Sequence, residues 1–168
     1  MKKTQKLVFA ALFAGLITLM TAYVCHIPVG VNGGYIHLGD TLIYLAASIL
    51  PAPYAILAAG IGGGLADLLT APVWMPATII IKILISLAFT SKRDNIICGQ
   101  NIIALFVGGV ITVLGYAVAE GLLFDSWFVS AIGIIGNIIQ AVVSGVLYVV
   151  IGLVFDKSRI KKKLIENK

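Results

Sequence analysis

Long apolar runs separated by short polar breaks dominate the chain, at roughly residues 7–24, 38–50, 54–70, 75–90, 97–121 and 128–155. About 20 apolar residues cross the hydrocarbon core of a bilayer as a helix, and fewer suffice where an end is buried in protein. The pattern therefore predicts six spans. The second run is short, and Pro51 and Pro53 separate it from the third. Proline ends a helix and biases the residue before it toward extended geometry, so a tight helical hairpin is expected there rather than one span broken twice. The expected fold class is an all-α membrane protein, a six-transmembrane-helix bundle forming a single integral-membrane domain over 1–168.

Charge sets the orientation. Only 11% of the 168 residues are charged and 60% are hydrophobic, with a mean hydropathy of +1.08. That is too little charge to clothe a soluble domain. Lys2, Lys3 and Lys6 precede the first run, Lys92 and Arg93 share one short connection, and Lys157, Arg159, Lys161, Lys162, Lys163 and Lys168 fill the tail. Basic residues mark cytoplasmic loops. Six spans place both termini and the 91–96 connection on that side, with the 51–53 turn. The opposite connections, 25–37, 71–76 and 122–127, contain no Lys or Arg. The net charge of +5 thus reads as topology, not nucleic-acid binding. Localisation in the cell membrane as a multi-pass protein, with N- and C-termini cytoplasmic, follows. The N-terminus also has the look of a signal peptide, but its apolar run is long and is read as a retained first helix. Cys25 and Cys98 fall on opposite sides, which offers neither a disulfide nor metal-ligand spacing. Gly60–Gly64 lacks the lysine of a phosphate-binding loop, so no ATPase activity is expected of this chain.

Polar residues inside apolar runs are costly and mark function or internal pairing. Lys82 lies midway along the fourth run with Thr78 and Ser86 one turn either side. Glu120 follows Tyr116 by one turn near the outer end of the fifth. Asn137, Gln140 and Ser144 share a face of the sixth, and Asp67 ends the third. Each has a structural alternative. Lys82 pairs with Glu120 or Asp67, Asn137 and Gln140 bond across helices, Asp40 caps the second span, and Asp67 meets a helix N-terminus. Trp74 and Trp127 fit interfacial tryptophans. The polar groups gather in the outer half, whereas the inner halves read as Leu, Ile, Val, Ala and Gly. A proton or ion path needs polar steps on both sides. The pattern fits instead a pocket open to the outside, taking a small heteroaromatic compound with hydroxyls. The stretch Gly33–Asp40, GGYIHLGD, is expected to fold back over it. Tyr35 and His37 cap the pocket, Gly33 and Gly34 let the loop move, and Asp40 begins the next helix. No catalytic set is visible, since His26 and His37 sit in or beside one loop.

These features resemble the substrate-binding S components of energy-coupling factor (ECF) transporters. The resemblance spans the chain: its size and six spans, the glycine-rich first loop leading to His37-Leu-Gly-Asp40, the segment Gly62–Leu69 (GGGLADLL), and Ala10-x-x-x-Ala14 in span one. It implies capture of a vitamin from outside by spans four to six and the outer loops. It also implies docking through Ala10 and Ala14 onto a membrane T component with two cytoplasmic ABC-type ATPases, and toppling of the S component to deliver substrate. No cofactor and no nucleic acid enter. The chain looks most like the small S components for hydroxymethylpyrimidine or vitamin B6 (pyridoxine) compounds. S components share little pocket sequence, so position and chemistry, not the resemblance, give the expected substrate-binding set: Tyr35, His37, Asp67, Trp74, Lys82, Tyr116, Glu120, Asn137 and Gln140. Pantothenate-like acids or a queuine-like base are alternatives, and the metal-chelating N-terminal histidine of nickel or cobalt importers is missing. Two other classes compete: an ion-coupled secondary transporter using Lys82, Glu120 and Asp67, and a non-transporting six-span scaffold.

Overall fold

A computed structural model describes residues 1–24, 26–28, 34–125 and 127–166, the side chains of 127–132 and 165–166 excepted. The chain is almost entirely helical: α1 (Lys3–Ala22), α2 (Gly39–Ile49), α3 (Ala52–Thr70), α4 (Met75–Ala88), α5 (Gly99–Phe124), α6 (Trp127–Lys157) and α7 (Ile160–Glu166). A 3-10 turn, Pro72–Trp74, leads into α4, and two short strands, β1 (Ile27–Pro28) and β2 (Tyr35–Ile36), pair antiparallel between α1 and α2. Among the described residues, four helices, α1, α3, α5 and α6, are long and apolar enough to cross a membrane. The other two apolar helices are shorter, and α2 at 11 residues is only about 16 Å long.

The prolines act as the sequence implies. Leu50 ends α2 in an extended conformation (φ −91°, ψ 146°), as a residue before proline must, and Pro51 and Pro53 open α3. The short α2 is the centre of the molecule: of its residues only Leu42 is not buried. It packs on α1, α3, α4 and α6. Tyr44 stacks on Phe89 with centroids 4.9 Å apart and meets the edge of Tyr148. Outward faces carry Leu12, Leu16, Phe106, Leu114, Val146 and Leu153, each at least half exposed. A soluble monomer does not show apolar surface on all sides; a body in lipid does.

Glycines in the third helix admit its neighbours. A Cβ on Gly62 would lie 2.8 Å from Ile17 and 2.9 Å from the Ala14 carbonyl, and one on Gly64 would lie 2.7 Å from Ile79. The run therefore lets α1 approach on one side and α4 on the other. Thr18 seals the first contact by donating to the Gly62 carbonyl at 3.1 Å.

The expectation that the inner halves are purely apolar is corrected. Asn101, fully buried, donates to Ser48 Oγ and to the carbonyls of Thr90 and Ile96, and accepts from the Thr90 amide at 2.8 Å. Tyr148 bonds Ser48 at 2.8 Å. Asp156 accepts from the amides of Ile96 and Ile97 at 2.7 and 2.9 Å. This network fastens the α4–α5 connection to the bundle. The tail joins it, folded as the short α7: Lys161 donates to the Arg93 carbonyl, and Lys162 approaches Asp94 at 3.5 Å. Burial lowers the pKa of Lys161. The tail and the 91–98 connection thus share one end. The C-terminal turn of α1 lies at the other, where Thr21 faces Gly39.

Candidate functional site

The α1–α2 hairpin, the 3-10 turn and the adjoining ends of α3–α6 enclose a partly open cavity of about 60 Å³. Its wall includes Gly34, Tyr35 and His37 from the hairpin, Asp67 from α3, Trp74 from the 3-10 turn, Thr78 from α4, Tyr116 and Glu120 from α5, and Gly133, Asn137 and Gln140 from α6. The structure therefore brings together eight of the nine residues expected at a pocket, with Lys82 behind them. Larger grooves run along the lipid-facing flanks, between α5 and α6 and between α3 and α4. Their linings are almost wholly apolar and offer nothing to orient a water-soluble molecule.

Lys82 is fully buried, and its Nζ lies 2.6 Å from Asp40 Oδ1. The pairing with Glu120 or Asp67 considered for it is thus corrected to Asp40. Asp40 is corrected too: the residue at the N-cap of α2 is Leu38, without a side-chain cap bond. Asp40 lies in the first turn, with its carboxylate turned inward toward α4 and α6. Its second oxygen accepts from Gln140 Nε2 at 2.9 Å, and Gln140 Oε1 accepts from the His37 amide at 3.1 Å. One chain of bonds thus runs from α4 through α2 and α6 to the hairpin. Lys82 Nζ also lies 5.1 Å from the Tyr116 ring centroid, a cation–π geometry, and Tyr116 bonds Thr78 at 2.9 Å.

The hairpin seats its side chains by specific contacts. Tyr35 donates its hydroxyl to Asp67 Oδ1, while its ring stacks on His26 at 3.9 Å. His26 Nδ1 donates to the Thr21 carbonyl. Burial, and then the Asp67 carboxylate, push the Tyr35 phenol well above its ordinary pKa. His37 is buried, and its Nδ1 accepts from the Gly39 amide at 3.0 Å. Burial, reinforced by the Lys82 charge, lowers its pKa to about 3, so its ring is neutral at physiological pH. Gly33 lies outside the described residues, as do Cys25 and the side chain of Trp127. Trp74 is buried and meets Tyr116 edge-on and Phe124 at a tilt. The Glu120 carboxylate packs where a Cβ on Gly133 would stand, 2.7 Å away. Asp67 Oδ2 has no hydrogen-bond partner among the described residues although Asp67 is only 3% exposed.

Ala10 and Ala14 are 4% and 7% exposed, in the face of α1 that packs on α3. Ala11 and Gly15 stand on the exposed face. Sequence reasoning missed Asp40, His26 and Thr78 as parts of the site. Asp40 was in view within GGYIHLGD, but its helix-start position pointed to capping.

A nearly all-helical body with an apolar exterior defines a multi-pass membrane protein, and a polar, aromatic cavity lies at one of its ends. Residues 1–157 match the model of the ECF-type riboflavin transporter, S component family, and the chain belongs to that family. It is thus a substrate-binding subunit of the ECF vitamin-transporter class, a transporter component and not an enzyme; S components work with a T component and ATPases. The chain is also 28% identical over 132 residues to a protein of Pyrococcus woesei described as an uncharacterized protein in gap 3'region, covering 76% of this chain and 86% of that protein.

Proposed function

We propose that this chain is the high-affinity capture subunit of an ATP-driven importer for a small, planar, water-soluble vitamin or precursor, of the pyridoxine or hydroxymethylpyrimidine kind. It crosses the cell membrane six times as one domain, with α2 and α4 spanning by virtue of their burial. Both termini are cytoplasmic and the cavity faces outside. The observation that carries the reading is the cavity itself. Tyr35, Trp74 and Tyr116 provide rings, while Asp67, Glu120, Asn137 and Gln140 provide polar groups, beneath a hairpin that Tyr35 and His37 tie to α3 and α6. Lys82 shapes the site through Asp40 and Tyr116. A space of about 60 Å³ holds only a few waters, so a ring-sized ligand enters by displacing the hairpin, and the Tyr35–Asp67 and His37–Gln140 bonds are the ones that open. The face of α1 bearing Ala11 and Gly15 docks on the T component, while Ala10 and Ala14 hold α1 close to α3. Riboflavin is the second substrate reading, supported by the description of the matching family; it requires a wider displacement of the hairpin.

The test has two arms. Purified protein in detergent is titrated with B6 vitamers, hydroxymethylpyrimidine and riboflavin, following tryptophan fluorescence and thermal stability. A ligand specific to the folded state raises stability as ln(1 + [L]/Kd). Proteoliposomes holding the chain with a T component and two ATPases are then assayed for uptake. Uptake dependent on ATP and on the partners is expected. Uptake by the chain alone, abolished by an uncoupler, would instead establish a secondary transporter, and a folded protein that binds nothing would leave the scaffold.

A further inference from the structure

The charge of the cavity decides which ligands it accepts. A lysine deep in a binding protein invites the reading of an anion receptor, and pantothenate-like acids would then be natural substrates. The geometry removes that option. The Lys82 ammonium is matched by the Asp40 carboxylate at 2.6 Å, is fully buried, and is absent from the cavity wall. No Lys or Arg lines the cavity among the described residues, and segments 29–33 and 126–132 contain none in their sequence. His37 is neutral there and spends its Nδ1 on the Gly39 amide.

Acidic groups remain. Asp67 and Glu120 both line the space, and Asp125 ends α5 on the same side. With Asp40 they number four acids against the single base Lys82 in this half of the molecule, while every other Lys and Arg lies in the N-terminal segment, the 91–96 connection or the tail. Asp67 gives the sharper signal. One oxygen receives the Tyr35 hydroxyl, and the other is buried without a hydrogen-bond partner among the described residues, with the Thr78 hydroxyl close to the same carboxylate. A buried acceptor without a donor is costly, by an amount that a bound N–H would recover. The rings of Tyr35 and Trp74 in the same wall favour the face of a positively charged heterocycle.

We propose that the site selects a nitrogenous heteroaromatic ligand bearing a positive charge or a strong N–H donor, that Asp67 Oδ2 receives that donor, and that carboxylate-bearing analogues are refused. This rests on the capture reading above and adds the ligand's charge class and its anchor. The Asp40–Lys82 pair then serves as a neutral, rigid floor. Repulsion from Asp67 and Glu120, in a wall with no Lys or Arg among the described residues, excludes acids.

The test uses ligands that keep one ring and change one charge: pyridoxamine, pyridoxine and 4-pyridoxate, with riboflavin run in parallel. Binding is measured by thermal shift and fluorescence on the intact purified protein. The expected order is pyridoxamine, then pyridoxine, then pyridoxate, with about tenfold or more between the first and last, the scale of one hydrogen bond to a charged group. Asp67→Asn should collapse that gap while keeping the fold. If Asp67→Asn does not fold, the wild-type order alone still decides. Pyridoxate binding as tightly as pyridoxamine would overturn the proposal, as would an unchanged order in folded Asp67→Asn, or no binding by any of the three. Riboflavin separates the two claims. If it binds and is imported while the charge series shows no preference, capture stands and the charge assignment falls. If riboflavin and the series all fail to bind, both fall.

Discussion

Asp40 and Lys82 illustrate what a buried ion pair does in this molecule. Neither side chain touches solvent, and each charge would be strongly unfavourable alone. Their bond, extended through Gln140 to the His37 amide, ties α4, α2 and α6 to the hairpin. Removing one partner leaves an uncompensated charge. Lys82→Met or Asp40→Leu alone should therefore destabilise the protein by about 3–5 kcal/mol, and the double substitution should recover most of that loss. Unfolding titrations in detergent across the four proteins measure the coupling. Additive losses in the double variant would show that the two charges act separately. Lys82 was legible in the sequence because a charge inside an apolar run stands out. Its partner was not, because Asp40 lies 42 positions away and looks like a helix cap. Asn101 was missed for a related reason: a polar residue in the first turn of a span resembles an interfacial residue until its four bonds are seen.

At the level of elements, the apolar runs located every long helix, and the two prolines located the α2–α3 turn, since both signals are local. The pairing of β1 with β2 and the fold-back of α7 escaped notice. Two residues per strand carry no periodicity, and α7 reads as a basic tail until Lys161 reaches the Arg93 carbonyl. The glycines of α3 were visible as a motif, but their reason is tertiary: α1 comes within side-chain contact of Gly62 on one side. Gly62→Val should cost about 1–3 kcal/mol through overpacking against Ile17 and the Ala14 carbonyl. Gly15, with no atom within 4 Å of a Cβ placed on it, provides the contrast. Gly15→Val should leave the thermal midpoint and ligand affinity unchanged yet reduce partner-dependent uptake, because it roughens the exposed face of α1. Reduced stability in Gly15→Val, or full uptake, would count against that face as the docking surface.

Over the whole molecule, charge is polarised along the bundle axis. The end bearing the tail and the 91–98 connection holds the basic clusters, and the cavity end holds Asp40, Asp67, Glu120 and Asp125 with Lys82 alone to offset them. On the proposed reading this one asymmetry serves two purposes: basic clusters keep the termini in the cytoplasm, and an acidic far half draws cationic solutes toward the site. The basic end is also structurally committed, since Lys161 and Lys162 fasten α7 to the α4–α5 connection. The orientation can be checked in a background lacking Cys25 and Cys98, with single cysteines introduced as Asp125→Cys or Lys163→Cys. A membrane-impermeant maleimide added to intact cells should label the first and spare the second until the cells are opened. Labelling in the reverse pattern would place the cavity on the cytoplasmic side, where a subunit that captures nutrients from outside has no use for it.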